Sequence, residues 1–150
     1  MSNGSRFRVF ATCNIGDDAL NLLRQRGYDL EVYEQLNPPP KSLIIEKVRS
    51  GVDGLITTLR DKIDAEVFEA GRGTLKAVAQ DAVGFDNINR ADANRYKVPF
   101  THTADVLNEA TAEFALLILG ALARKLAPAE RLVRNNRWGT WHPFLPFLGD

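Results

Sequence analysis

GLITTL, residues 54–59, is apolar without alternation. A short run of this kind suits a strand buried on both faces, as in a parallel sheet with helices above and below. Its neighbours repeat one unit. RFRVFAT (6–12) reads as a strand, with Phe7, Val9 and Ala11 opposite Arg6, Arg8 and Phe10. Gly16–Arg26 reads as a helix with Ala19, Leu20, Leu22 and Leu23 on one face, Asp17 and Asp18 in its first turn and Gly27 past its end. DLEVYE (29–34) alternates as a second strand, and the stiff run Asn37–Pro40 leads to an amphipathic helix, Lys41–Ser50. Asp64 caps a third helix that ends at Gly71 and Gly73. LKAVA (75–79), a loop over 80–87, a short helix near 89–96 and a strand over 98–103 complete the series.

Strand starts fall near residues 6, 29, 54, 75 and 98, a pitch of 21–25 residues. That pitch holds one strand and one helix, so the strands pair in parallel through right-handed crossovers. The expectation is an α/β fold: a five-stranded parallel sheet in the flavodoxin-like order 2-1-3-4-5, with helices on both faces. The stretch DVLNEATAEFALLILGALARKL (105–126) then reads as a long helix, N-capped by Asp105 and closed by Arg124 and Lys125. It is apolar nearly all round from Phe114 to Leu119, which predicts burial on more than one side. Pro128 opens a further helix, and an apolar tail from Trp138 needs a partner surface. The expected division is a domain over 1–104 and a connecting helix with an arm over 105–150.

Bulk properties narrow the function. The 150 residues carry 19 basic and 19 acidic side chains, a balance that argues against a nucleic-acid partner. The longest apolar run, Phe114–Ala123, is shorter than the ~20 residues a bilayer span needs. No secretory signal opens the chain, and the single cysteine, Cys13, fits a reducing compartment, so a cytoplasmic protein is expected. Cys13 reads as a strand-end packing residue, with no base nearby in sequence to activate it. His102 and His142 lack metal-ligand spacing, and no metal site is expected. His102 reads as a polar residue at a strand end.

Ligands of open parallel sheets bind at the carboxyl ends of the strands. The candidate loops are 11–16, 59–62, 80–87 and 101–105. QDAVGFDN (80–87) is the most informative, because Gly84 lets backbone approach a ligand and its N–H groups can face an anion. On its own the pattern is better read as a tight strand-to-helix turn, with Asp86 and Asn87 closing it and capping the next helix.

Four stretches, taken in order, are more specific. TLRDKIDAEVFEA (58–70), LKAVAQDAVGFDNIN (75–89), THTADVLNEATAEFALLILGALARKL (101–126) and RWGTWHPFLPFLGD (137–150) resemble the D-isomer-specific 2-hydroxyacid dehydrogenases. The resemblance is greatest to the glyoxylate/hydroxypyruvate reductase branch. It implies the substrate-binding half of an enzyme that reduces small 2-oxo acids to D-2-hydroxy acids with NAD or NADP as cofactor, working as a homodimer. It implies that the backbone of Val83 and Gly84 holds the substrate carboxylate, that Leu59 and Arg60 line the same cleft, and that Trp141 reaches a partner subunit's pocket. Thr111 matches a position near the cofactor. Asp81 departs from the family pattern, as do Asn89, Tyr96, Ala104 and the run 135–137. The arginine, histidine and glutamate of the family's hydride and proton transfer have no counterpart in this chain, so no catalytic residue is assigned. The glycine-rich fingerprint GxGxxG is also absent from the 150 residues. The chain by itself is therefore expected to be inactive and to bind no dinucleotide tightly. The alternative is a stand-alone dimeric binding module with this fold and no chemistry.

Overall fold

The computed structural model describes residues 6–141 and divides the chain into two compact units, Met1–Ala104 and Asp105–Asp150. The first holds β1 (Arg8–Ala11), α1 (Asp17–Gln25), β2 (Asp29–Val32), α2 (Lys41–Arg49), β3 (Gly54–Thr57), α3 (Ala65–Ala70), β4 (Ala77–Gln80), α4 (Arg90–Tyr96) and β5 (Phe100–Thr101). All pairings are parallel and the order is β2-β1-β3-β4-β5, the flavodoxin-like arrangement expected from the pitch.

Strand residues alternate between two layers. Phe10, Leu55 and Val78 join Ile44 and Val48 of α2, Val67 and Phe68 of α3 and Ala93 of α4 in the main core. Ile56 and Ala79 point to the other face, where they line a groove of about 400 Å³ with Ala19, Leu22 and Leu23 of α1. Gly71 is what lets α2 and α3 close on the chain that follows them. A Cβ there would sit 2.5 Å from Val48 Cγ1 and 2.7 Å from Leu75 Cβ, so no larger residue fits.

β1 corrects the expected alternation. Phe10 is buried, whereas Phe7 is half-exposed, edge-on to Tyr28 and beneath the Lys76 ammonium. The reason is position: β1 lies inside the sheet and is covered on both faces, Phe10 entering the main core on one while Val9 and Ala11 are buried on the other. β3 also stops earlier than expected. Thr58 and Leu59 leave it because the Asp61 carboxylate reaches back to the Thr58 N–H at 2.7 Å and closes a turn. Asp64 caps α3 as expected, but α4 is capped by Asn89, whose side chain accepts from the Asp92 N–H, and not by Asp86 or Asn87. At the end of α1, Gly27 takes φ +79°, its N–H bonding to Arg24 and that of Tyr28 to Leu23, the two bonds of a Schellman cap.

The second unit holds α5 (Asn108–Ala123) and α6 (Leu126–Arg134). Asp105 is not an N-cap. It adopts φ +63°, a left-handed turn before the helix, and its carboxylate accepts from Asn108 Nδ2. Lys125, also left-handed, separates the two helices. The burial expected for Phe114–Leu119 is not found: Phe114 is 62% exposed and Leu117 66%. An all-round apolar helix needs covering surfaces on several sides, and the described residues do not supply them. The tail from His142 lies outside the described residues.

Candidate functional site

Four of the residues singled out in the sequence come together at the carboxyl ends of β1, β3 and β4. Leu59 and Arg60 follow β3, and Val83 and Gly84 follow β4. Leu59 is 58% exposed and lies over Gly84, close enough that a Cβ on Gly84 would be 3.3 Å from Leu59 Cδ2. Arg60 reaches across to the β2–α2 connection, where Nη1 donates to the Leu36 carbonyl at 2.9 Å. Thr111 and Trp141 belong to the second unit, Thr111 within α5 and Trp141, exposed, beyond α6.

Three consecutive carbonyls fix the Val83–Gly84 backbone. Ala82 O accepts from the Thr103 N–H at 3.0 Å. Val83 O accepts from His102 Nδ1 at 2.9 Å, and Gly84 O from Gln80 Nε2 at 3.2 Å. In a trans peptide each carbonyl is antiparallel to the N–H of the next residue. Tying back the Ala82 and Val83 carbonyls therefore turns the Val83 and Gly84 N–H groups the opposite way. Among the described residues neither N–H donates a hydrogen bond. Two adjacent free amides form the donor pair that a carboxylate requires.

Beneath this loop lies a buried polar network that sequence reasoning missed. Thr57 Oγ1 donates to Gln80 Oε1 at 2.7 Å, and Gln80 Nε2 donates to Asn87 Oδ1 at 2.8 Å. Asn87 Nδ2 in turn donates to the Thr58 and Asp61 carbonyls, at 3.0 and 2.8 Å. Backbone carbonyls only accept, so the orientation of the Asn87 amide is fixed. Asp61, 2% exposed, accepts from Thr12 Oγ1 at 2.6 Å as well as from the Thr58 N–H and hydroxyl, all on one carboxylate oxygen. The other oxygen, Oδ1, is buried with no partner among the described residues. Backbone bonds from the Ile63 N–H to Asn87 O and from the Asn89 N–H to Ile63 O complete the seam between the two loops. The signal available in sequence was the Thr58-x-x-Asp61 spacing, which suits a side chain closing its own turn.

Cys13, just beyond β1, faces the same group of loops. Burial raises its thiol pKa, the Asp81 carboxylate raises it further, and the Arg60 guanidinium opposes them in part. A raised thiol pKa disfavours the thiolate, the form in which cysteine reacts. Among the described residues no cluster of His, Cys, Asp or Glu could hold a metal ion, and no helix is long and apolar enough to cross a membrane.

This arrangement is shared with known proteins. Residues 9–141 match the family described as D-isomer specific 2-hydroxyacid dehydrogenase, catalytic domain. The glyoxylate reductase of Korarchaeum cryptofilum is 42% identical over 139 residues, which cover 92% of this chain and 41% of that protein. That of Thermococcus onnurineus is 41% identical over 146 residues, covering 95% and 42%. The crystal structure of the TT0316 protein from Thermus thermophilus superposes with a TM-score of 0.86 at 39% identity, over 93% of this chain and 44% of that one. The chain thus spans about two fifths of the length of these relatives. With the parallel sheet, the loop after β4 and the sequence in agreement, this chain belongs to the D-isomer specific 2-hydroxyacid dehydrogenase family.

Proposed function

We propose that this chain is the substrate-binding half of a reductase that converts glyoxylate or hydroxypyruvate to the D-2-hydroxy acid with NADH or NADPH. One observation carries the reading: the outward, unpaired N–H groups of Val83 and Gly84, held by three tied carbonyls at the mouth of the sheet. Val83 and Gly84 bind the substrate carboxylate. Leu59 closes one side of the cleft and limits the bulk of the substrate, and Arg60 supplies positive charge at its rim. Trp141 contributes from the arm of a second copy. Residues 1–104 form the substrate domain, and 105–150 the connecting helix and dimer arm.

The dinucleotide supplies a hydride to C2 of the 2-oxo acid. The residues of this chain do not fit a complete site for it. No glycine-rich strand-to-helix turn is present, and α5 has no side-chain cap at its start. The Thr111 N–H is already bonded to Leu107 O, which leaves only its hydroxyl to face a cofactor. What these residues do is bind and orient the carboxylate.

The pure 150-residue chain should therefore oxidise neither NADH nor NADPH in the presence of glyoxylate above the protein-free rate, followed at 340 nm (the nicotinamide absorbance). Turnover would sink this assignment. In a titration of the ¹⁵N-labelled chain with glyoxylate, the Val83 and Gly84 amide resonances should move while those of α2 and α3 stay fixed.

Phe114, Leu116, Leu117, Leu119 and Leu122 are exposed around α5 and make an apolar surface that a lone subunit would leave in water. Two copies covering these surfaces form the homodimer. Light scattering across a dilution series should give a mass near twice the 16.7 kDa of the chain, and a monodisperse monomer would refute the dimer.

A further inference from the structure

We infer that His102 is a positioning residue for the carboxylate-binding amides. It acts through the Val83–Gly84 peptide and does not itself touch the substrate. The inference rests on the reading of Val83 and Gly84 given above. His102 follows β5, and its Nδ1 lies 2.9 Å from Val83 O. A carbonyl only accepts, so Nδ1 carries the proton and donates it. The peptide that His102 holds is the one whose other end is the Gly84 N–H, so the imidazole sets the direction of one of the two free donors. The ring is itself held edge-on to Phe85, with centroids 5.1 Å apart, and the neighbouring Thr103 N–H anchors Ala82 O. The two residues that follow β5 thereby hold the Ala82 and Val83 carbonyls and with them the direction of both amides.

The geometry states which replacements preserve the function. Asparagine places its side-chain nitrogen the same number of bonds from Cβ as Nδ1, so His102→Asn keeps a donor for Val83 O. His102→Phe keeps the aromatic contact with Phe85 and removes the donor. His102 is exposed, so neither change should alter the unfolding midpoint appreciably.

The test uses the ¹⁵N-labelled full chain, with glyoxylate as the probe. In His102→Phe the Gly84 amide should shift in the ligand-free protein and its order parameter should fall from about 0.85 towards 0.6. The dissociation constant for glyoxylate should rise about tenfold, as expected for loosening one of two charge-assisted donors. His102→Asn should restore both values and His102→Ala should not. A residue that merely stabilised the fold would move the melting temperature and would not distinguish Asn from Phe. A Gly84 amide that keeps its shift and order in His102→Phe overturns the inference, whatever glyoxylate does. Wild-type Val83 and Gly84 amides that ignore glyoxylate overturn the site reading beneath it, a separate result in a separate sample.

Discussion

Replacing Asp61 with alanine should lower the stability of the first unit by roughly 3–5 kcal/mol, one of the two largest single-residue effects anticipated for this chain. One oxygen of its carboxylate accepts three hydrogen bonds, from the Thr12 hydroxyl and from the N–H and hydroxyl of Thr58. Hydrogen bonds to a carboxylate contribute about 1.5–3 kcal/mol each, and a buried donor stranded without an acceptor costs about 1–3 kcal/mol. Alanine would remove the acceptor and leave the buried Thr12 hydroxyl facing an apolar gap. Asp61→Asn should be far milder. Its carbonyl oxygen can occupy the place of Oδ2, and its NH₂ would fall where Oδ1 now lies unpartnered. Urea unfolding at a constant m-value would compare the two. An alanine variant within about 1 kcal/mol of the parent would show that the three bonds contribute little to stability. The same substitution frees the turn that carries Leu59 and Arg60, so glyoxylate binding should weaken before the protein unfolds.

Phe68→Ala should be of similar size and act only on stability. The Phe68 ring of α3 is fully buried in the main core and stacks on Tyr96 with centroids 6.1 Å apart. Truncating a buried phenylalanine costs about 3–5 kcal/mol, because the cavity only partly collapses. Domains of this kind hold only about 5–15 kcal/mol in all. With Tm moving roughly 2–4 °C per kcal/mol, a fall near 10 °C is expected by calorimetry. Phe68→Leu, which fills most of the volume, should retain most of that. A loss under about 1 kcal/mol for the alanine variant would mean that the ring is not the centre of the core.

The fold was legible because the strand pitch is regular. The expectation that GLITTL is buried on both faces held only in part. Leu55 and Thr57 are buried while Gly54 and Ile56 are half-buried, Ile56 lining the groove beside α1. Where the reading erred, a tertiary neighbour had overruled a local pattern. Phe10 alternates with Val9 and Ala11, and alternation alone does not reveal that β1 is buried on both faces. Thr58 and Leu59 continue an apolar run, yet Asp61 pulls them out of β3. Asp105 has the chemistry of a cap but lies three residues before α5 begins. Within the site, Val83 and Gly84 stood out through the glycine and through the family resemblance. Gln80, Asn87 and His102 did not. Asn87 acts on Thr58, 29 positions away, and His102 on Val83, 19 positions away. No spacing rule announces partners at such distances, and only the folded sheet brings them together.

The order β2-β1-β3-β4-β5 bears on how the chain is assembled on the ribosome. Once β1 and β2 have paired, β3 joins the free edge of β1, β4 that of β3 and β5 that of β4. No strand must be threaded between two already joined. Units of roughly 20–25 residues emerge every few seconds at about 5–20 residues per second. A local loop closes in well under a millisecond, so each strand has time to dock before the next appears. The sheet can thus be laid down in the direction of translation. Its last addition, β5, brings with it His102 and Thr103, which lock the loop after β4, so the turn proposed to bind the carboxylate is the last part of the first unit to take its final shape.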